Sequence, residues 1–284
     1  MARFREDIGA CRRIGLMNGF SADWLALREP YDLRARNPAV LDAVVTWCKD
    51  IFAIRVVDLG CGTGSTLRAL APCLPARQNW RLFDNDFGLL ARATAVVPPA
   101  EITVTATPLD LARDLEAALD GPVDIITASA LLDLVSESWL ERLAVEISAR
   151  SIPLYAAISY DGRTEFVPPD PFDAAVVASV NKHQRTDKGF GPALGAKSTP
   201  FAIARLKSLG YSVTQGKSDW VLEPYDRDIQ LEFFSGCAAV ARQTVLAHVD
   251  MVDWLARRRE FVAAGQSSIR VGHVDFWARQ TGTL

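Results

Sequence analysis

Apolar residues recur along the chain in two alternating rhythms: short β-branched runs that end in an acid or a turn, and longer stretches with apolar positions three or four apart. Two helical pieces come first. Asp23 would cap Trp24 to Arg28, and Asn37-Pro38 opens a helix over Ala39 to Lys49 with Leu41, Val44, Val45 and Cys48 as its apolar stripe. The pattern then predicts strand 54–58, helix 65–71, strand Trp80 to Asp84 and helix 87–95. Strand 102–106, helix 111–119, strand Val123 to Thr127, helix Glu137 to Arg150 and strand Pro153 to Ser159 follow.

After this the alternation pauses. Pro168-Pro169-Asp170-Pro171 opens a helix with Asp170 as cap and Phe172, Val176 and Val180 on one face, and a polar glycine-rich loop follows it. Helix 199–208 and strand Tyr211 to Gln215 resume the pattern. A helical stretch of about 228–264, with Val245 and Val249 in its stripe and a break near His248-Val249-Asp250, leads to a last strand from Ser268 to Trp277. The expected fold is α/β, a doubly wound, mostly parallel seven-stranded sheet with an N-terminal helical cap and a lid insertion. Residues 1–50 form an arm (1–19) and the cap; residues 51–284 form the main domain, with a lid at about 165–197 and a helical insertion at about 228–266.

Composition narrows the function. A formal net charge of -3, with no basic cluster interleaved with aromatics, disfavours nucleic acid as a partner. Five cysteines, at 11, 48, 61, 73 and 237, are odd in number and contain no C-x-x-C pair, which predicts a reducing compartment. Three histidines (183, 248, 273) without ligand spacing predict no protein-bound metal. With no apolar run of membrane length and arginines interrupting the first residues, no membrane association and a cytoplasmic location are expected.

The candidate chemistry lies after the first strand, in Val57-Asp58-Leu59-Gly60-Cys61-Gly62-Thr63-Gly64. Alternating glycines permit positive φ and close approach of a ligand at the carboxyl end of a parallel strand, where open α/β sheets bind nucleotides. A dinucleotide fingerprint would need glycine or alanine at position 65, which is serine, and a pyrophosphate beside Asp58 would be repelled.

These residues resemble the first motif of the class I S-adenosylmethionine (SAM) dependent methyltransferases, in particular bacterial small-molecule enzymes. Asp84-Asn85-Asp86-Phe87-Gly88-Leu89-Leu90-Ala91-Arg92-Ala93 is similar to their second motif, and Asp110-Leu111 resembles their acid after the third strand. The likeness covers roughly residues 40–160 and departs from the family pattern beyond the fifth strand. It implies SAM as cofactor and S-adenosylhomocysteine (SAH) as product. Gly60, Cys61 and Gly62 would approach the methionine end, with Asp58 near its ammonium. Asp84, beside Asn85, would accept from the ribose diol, while Asp86 caps the next helix. Asp110 would accept from the adenine amino group, or cap helix 111–119 instead, and the Leu111 amide would donate to a ring nitrogen. Ser129 would lie near the sulfonium. Among Arg28, Asp32 and Arg36 of the cap, Arg36 is the favoured partner for the SAM carboxylate, against a solvated surface reading.

The expected reaction is in-line transfer of a methyl group to an oxygen, nitrogen or carbon of a small molecule. His183 would take a proton from the nucleophile, although a histidine at a helix carboxyl end is also stabilised there without a catalytic role. Asp133 and Tyr160 are further catalytic candidates. Lys182, His183, Arg185 and Lys188 against a single Asp187 hint at an anionic acceptor. The alternative is a SAM-binding accessory or regulatory protein that does not methylate.

Overall fold

The computed structural model describes residues 20–95, 98–244 and 248–281. The expected arm at 1–19 lies outside the described residues, as do Val245 and the side chain of Val249. Helix α1 (Ala22–Ala35) starts at Ser21, whose hydroxyl accepts from the Trp24 amide at 3.1 Å, so Ser21 rather than Asp23 is its cap. It runs past Arg28 and through Pro30, because Trp24, Arg28 and Asp32 fall on one buried face at intervals of four. Helix α2 (Pro38–Cys48) has Asn37 as cap, its side chain accepting from the Val40 amide at 3.1 Å.

The chain then alternates through β1 (Ala53–Leu59), α3 (Ser65–Leu70), β2 (Arg77–Asp84), α4 (Phe87–Ala93), β3 (Ile102–Pro108), α5 (Leu115–Ala118), β4 (Ile125–Ser129), α6 (Glu137–Ala149) and β5 (Leu154–Val167). After it come α7 (Asp173–His183), α8 (Ser198–Ser208), β6 (Tyr211–Lys217), β7 (Trp220–Leu222), α9 (Arg227–Thr244), α10 (His248–Ala263) and β8 (Ser268–Gln280). The strands form one sheet of eight in the order β3-β2-β1-β4-β5-β8-β6, with β7 also paired to β8. The first five strands are parallel; β8 runs antiparallel to β5, β6 and β7. Eight strands replace the expected seven because β7 has only three residues, too few to show an alternating pattern.

Side-chain alternation builds two cores from the same strands. Val57, Leu59 and Ile126 face α5, α6 and α8, whereas Val56, Trp80 and Ile125 face α2, α3 and α4. Two predicted helices are shorter. The Asp110 carboxylate accepts from the Ala112 amide at 3.0 Å and closes a turn ahead of α5, and Asp170 does the same for Phe172 at 2.9 Å ahead of α7.

β5 and β8 outrun the parallel strands. Val167 ends β5, so the opening of the expected lid is sheet, and register shifts between Ala156 and Ser159 and between Tyr160 and Thr164 bend the ribbon. A third core forms against it from Trp24, Tyr160, Phe166, Trp220, Phe234 and Trp254 among others, which brings α1, α9 and α10 over the carboxyl ends of β4 and β5.

Candidate active site

The chain passes from β1 to β2 on one side and from β4 to β5 on the other, so a crevice opens between β1 and β4 at their carboxyl ends. The glycine turn fills one lip. Gly60, Gly62 and Gly64 have φ of 65°, 54° and 82°, a conformation open to glycine and strained for other residues. A Cβ at Gly60 would meet the Leu131 side chain at 3.2 Å, and one at Gly62 would meet that of Leu25 at 3.3 Å.

Beneath the turn, Asp58 is wholly buried. One of its oxygens accepts from the Thr127 hydroxyl at 2.7 Å and the other has no partner. Burial pushes its carboxyl up to about 7, with Thr127 and then Arg36 pulling the other way. Asp84, at the end of β2, accepts from the Gly62 amide at 2.9 Å and the Asp86 amide at 3.0 Å. Burial raises its pKa against those two bonds. Asp86 caps α4, accepting from the Gly88 and Leu89 amides at 2.7 and 3.1 Å.

Gly60, Cys61, Gly62, Asp84, Asn85, Asp110, Leu111, Ser129 and His183 all line a cleft of about 850 Å³. Asp133 and Tyr160 line a second cavity of about 130 Å³. The two share Phe20, Arg28, Ala130, Leu134 and Lys188 as walls. Ala130 has a φ of 51°, so the backbone at the end of β4 is strained where the cavities adjoin.

Arg28, not the favoured Arg36, is the cap arginine that faces both spaces. Arg36 is buried behind Ser129, donating to its hydroxyl at 3.1 Å and to the Tyr155 hydroxyl at 3.2 Å. Arg36, which closes α1, is thereby turned toward β4 and β5, and α1 carries Arg28 to the cleft, forked onto Asp32 at 2.9 and 3.1 Å.

His183 sits with Nδ1 3.1 Å from the Lys188 ammonium, and burial, then Lys188, pushes its pKa down to about 4. The imidazole is neutral near pH 7 and a weak proton acceptor. Burial holds the Asp133 carboxyl at about 6, and Oδ1 of this residue accepts no hydrogen bond.

His273, in the last strand, lines the second cavity. It pairs across β5 and β8 with Tyr160, lies against Trp220 at 5.3 Å between ring centroids, and leaves Nδ1 without a partner. No local pattern marks it, because its neighbours are set by strand register. Among the described residues no three His, Cys, Asp or Glu side chains are grouped to hold a metal ion, and no helix is long and apolar enough to cross a membrane.

Residues 56–151 match a family model described as a methyltransferase domain. No curated protein matches the chain significantly. Among solved structures, the chain is similar to a cyclopropane-fatty-acyl-phospholipid synthase-like protein from Lactobacillus casei, at 14% identity over 97% of this chain and 98% of that one, with a TM-score of 0.51. It is also similar to the cyclopropane synthase MmaA2 from Mycobacterium tuberculosis, at 11% identity over 97% and 98% of the two chains and a TM-score of 0.49. A third, a SAM-dependent methyltransferase from Thiobacillus denitrificans in complex with SAH, has 15% identity over 93% and 100%, with a TM-score of 0.44. At 14% identity the likeness to the first of these is one of fold. The match to the methyltransferase-domain model falls on residues 56–151, which hold β1 to β4 and the glycine turn between them.

Proposed function

We propose that the protein is a SAM-dependent methyltransferase acting on a small molecule held in the second cavity. The observation that carries this reading is the shared wall: a cleft of cofactor size adjoins, across Arg28, Ala130 and Leu134, a smaller, largely apolar space. A SAM-binding protein without an acceptor would have no need of the second space.

The donor set fits SAM. Each Asp84 oxygen accepts one backbone amide and keeps a lone pair for a ribose hydroxyl. Gly60 and Gly62 leave the methionine end a bare backbone to approach, with the unpartnered Asp58 oxygen below. Asp110, exposed at the cleft, and the Leu111 amide suit adenine, and Ser129 lines the cleft next to Ala130, which is in both walls. Bound SAM supplies a methyl group already activated by its sulfonium. The protein's part is to hold the acceptor in line and exclude water, which is worth about 7–11 kcal/mol of barrier. Lys188, in both walls, would favour an acceptor that is or becomes anionic.

Calorimetry with SAM, SAH and NAD tests the cofactor: binding of NAD with no response to the other two would overturn the reading. Asp84→Ala should weaken SAH binding by roughly 10- to 100-fold, the worth of hydrogen bonds to a charged group. Labelled-methyl SAM incubated with extract fractions identifies the acceptor through the product that carries the label.

A further inference from the structure

We propose that the second cavity binds a single-ring aromatic hydroxyl compound, and that Asp133 takes the hydroxyl proton as the oxygen is methylated. This rests on the methyltransferase reading and names its substrate class.

Size comes first. The cavity holds about 130 Å³, close to the roughly 150 Å³ of an engineered apolar cavity that takes benzene. Its walls include the rings of Trp24, Tyr160, Trp220 and Phe233, surfaces against which a flat ring packs well.

Polarity comes second. Asp133 and His273 are each only 5% exposed, and Asp133 Oδ1 and His273 Nδ1 have no hydrogen-bond partner. Both residues line the cavity, so its largely apolar wall carries a carboxyl and an imidazole, which suits a ligand with a polar group of its own. A hydroxyl on a ring meets that demand, donating to Asp133.

Charge is compatible with an acceptor oxygen. The face of Trp220 is already covered by the Arg28 guanidinium at 4.9 Å, and Lys188 stands in the same wall. Arg28 is paired with Asp32, and an oxygen gaining negative charge would be stabilised by Lys188 and by the remaining field of Arg28. In the step, the O–H bond breaks and its proton passes to Asp133. An oxygen electron pair forms the new O–C bond, and the S–C bond breaks with its electrons left on sulfur, giving SAH.

The titratable groups that share the cavity wall with Asp133 are Arg28 from α1, Tyr160 from β5, Cys237 from α9, His273 from β8 and Lys188 after α7. Burial holds Tyr160 and Cys237 up at about 12 and His273 down at about 3. Asp133 itself, near 6, is protonated and idle below that pH and ready to accept above it.

The test uses the whole protein with SAH, titrated with phenol, 2-naphthol, dimethylamine and cis-9-hexadecenoate by calorimetry, followed by turnover with SAM. Phenol should bind alongside SAH, with 2-naphthol at least about tenfold weaker because a second ring overpacks the space. With phenol, kcat/KM should rise to a plateau above about pH 6. The isosteric Asp133→Asn should bind SAH and phenol as before, lose the pH rise and lower kcat by about 10²- to 10⁴-fold. Cys237→Trp, which fills the cavity, should abolish phenol binding and spare SAH. Failure of phenol to bind while SAH binds, competition between the two, methylation of the amine or the alkene instead, or full kcat in Asp133→Asn each overturns the proposal. Failure of SAH to bind would instead remove the methyltransferase reading on which it stands.

Discussion

Asp58 shows how one residue is bent to a site. It ends β1 under the glycine turn, where water cannot reach it, and a single hydroxyl bond from Thr127 is too little to replace its hydration. Its pKa therefore rises from 3.8 to about 7. Because the folded protein binds this proton more tightly than the unfolded chain, the associated stability is complete below about pH 3.8 and is lost as pH rises to about 7. Asp58→Asn removes that loss. The melting temperature of the variant relative to wild type should climb between these two values and level off above, and a constant difference across the range would show that Asp58 is ionised throughout. Asp275 is a second such residue. Its carboxylate accepts from the Asn37 amide at 2.9 Å and the Ile158 amide at 2.7 Å, and so ties the start of α2 to the bend in β5. Ile158 is held there with a φ of 52°, in the wall of the second cavity.

At the scale of elements, the helices over the ribbon are held by buried charge as well as by apolar packing. Arg258 of α10 is fully buried, donates to the Pro168 carbonyl at 2.6 Å and is bonded to Asp173 at the start of α7. The rings of Phe166 and Phe234 stand 5.0 and 5.5 Å from its guanidinium carbon, and the Trp254 indole also donates to Asp173, at 2.9 Å. Removing one member of a buried pair strands the other, so Arg258→Ala should destabilise the protein by about 3–5 kcal/mol. Urea unfolding measures this directly; a change under about 1 kcal/mol would mean the pair behaves like a surface one. The longer reach of β5 and β8 is what offers these helices a platform. Local periodicity marks where those strands begin, whereas their length is set by pairing with each other over Thr164 to Val167 and Ser268 to Val271.

For the whole molecule, the cleft between the sheet and the helical cover couples ligand binding to stability. SAH at a hundred times its dissociation constant should add about 2.7 kcal/mol and raise the melting temperature accordingly. The cleft walls come from α1, the ends of β1, β2 and β4 and the turn after α7, and an unchanged melting temperature with excess SAH would show that this cleft does not bind it.

What the sequence determined by itself is local in origin. An acid at the end of a parallel strand, glycines at every second position after it and a further acid one strand later obey rules of turn, cap and spacing that act within about 30 residues. Gly60, Gly62, Asp84 and Asp110 accordingly stand together along one cleft. Tertiary structure alone decided the rest. Arg28 instead of Arg36 faces the cleft because α1 packs against β7, with Trp220 donating to Asp32 at 2.9 Å. His273 reaches Tyr160 through antiparallel register, and Asp133, in the turn after β4, lines the same cavity as both under a helical cover built from segments far apart in the chain. Burial and register are sums over distant neighbours, and no window of sequence contains them.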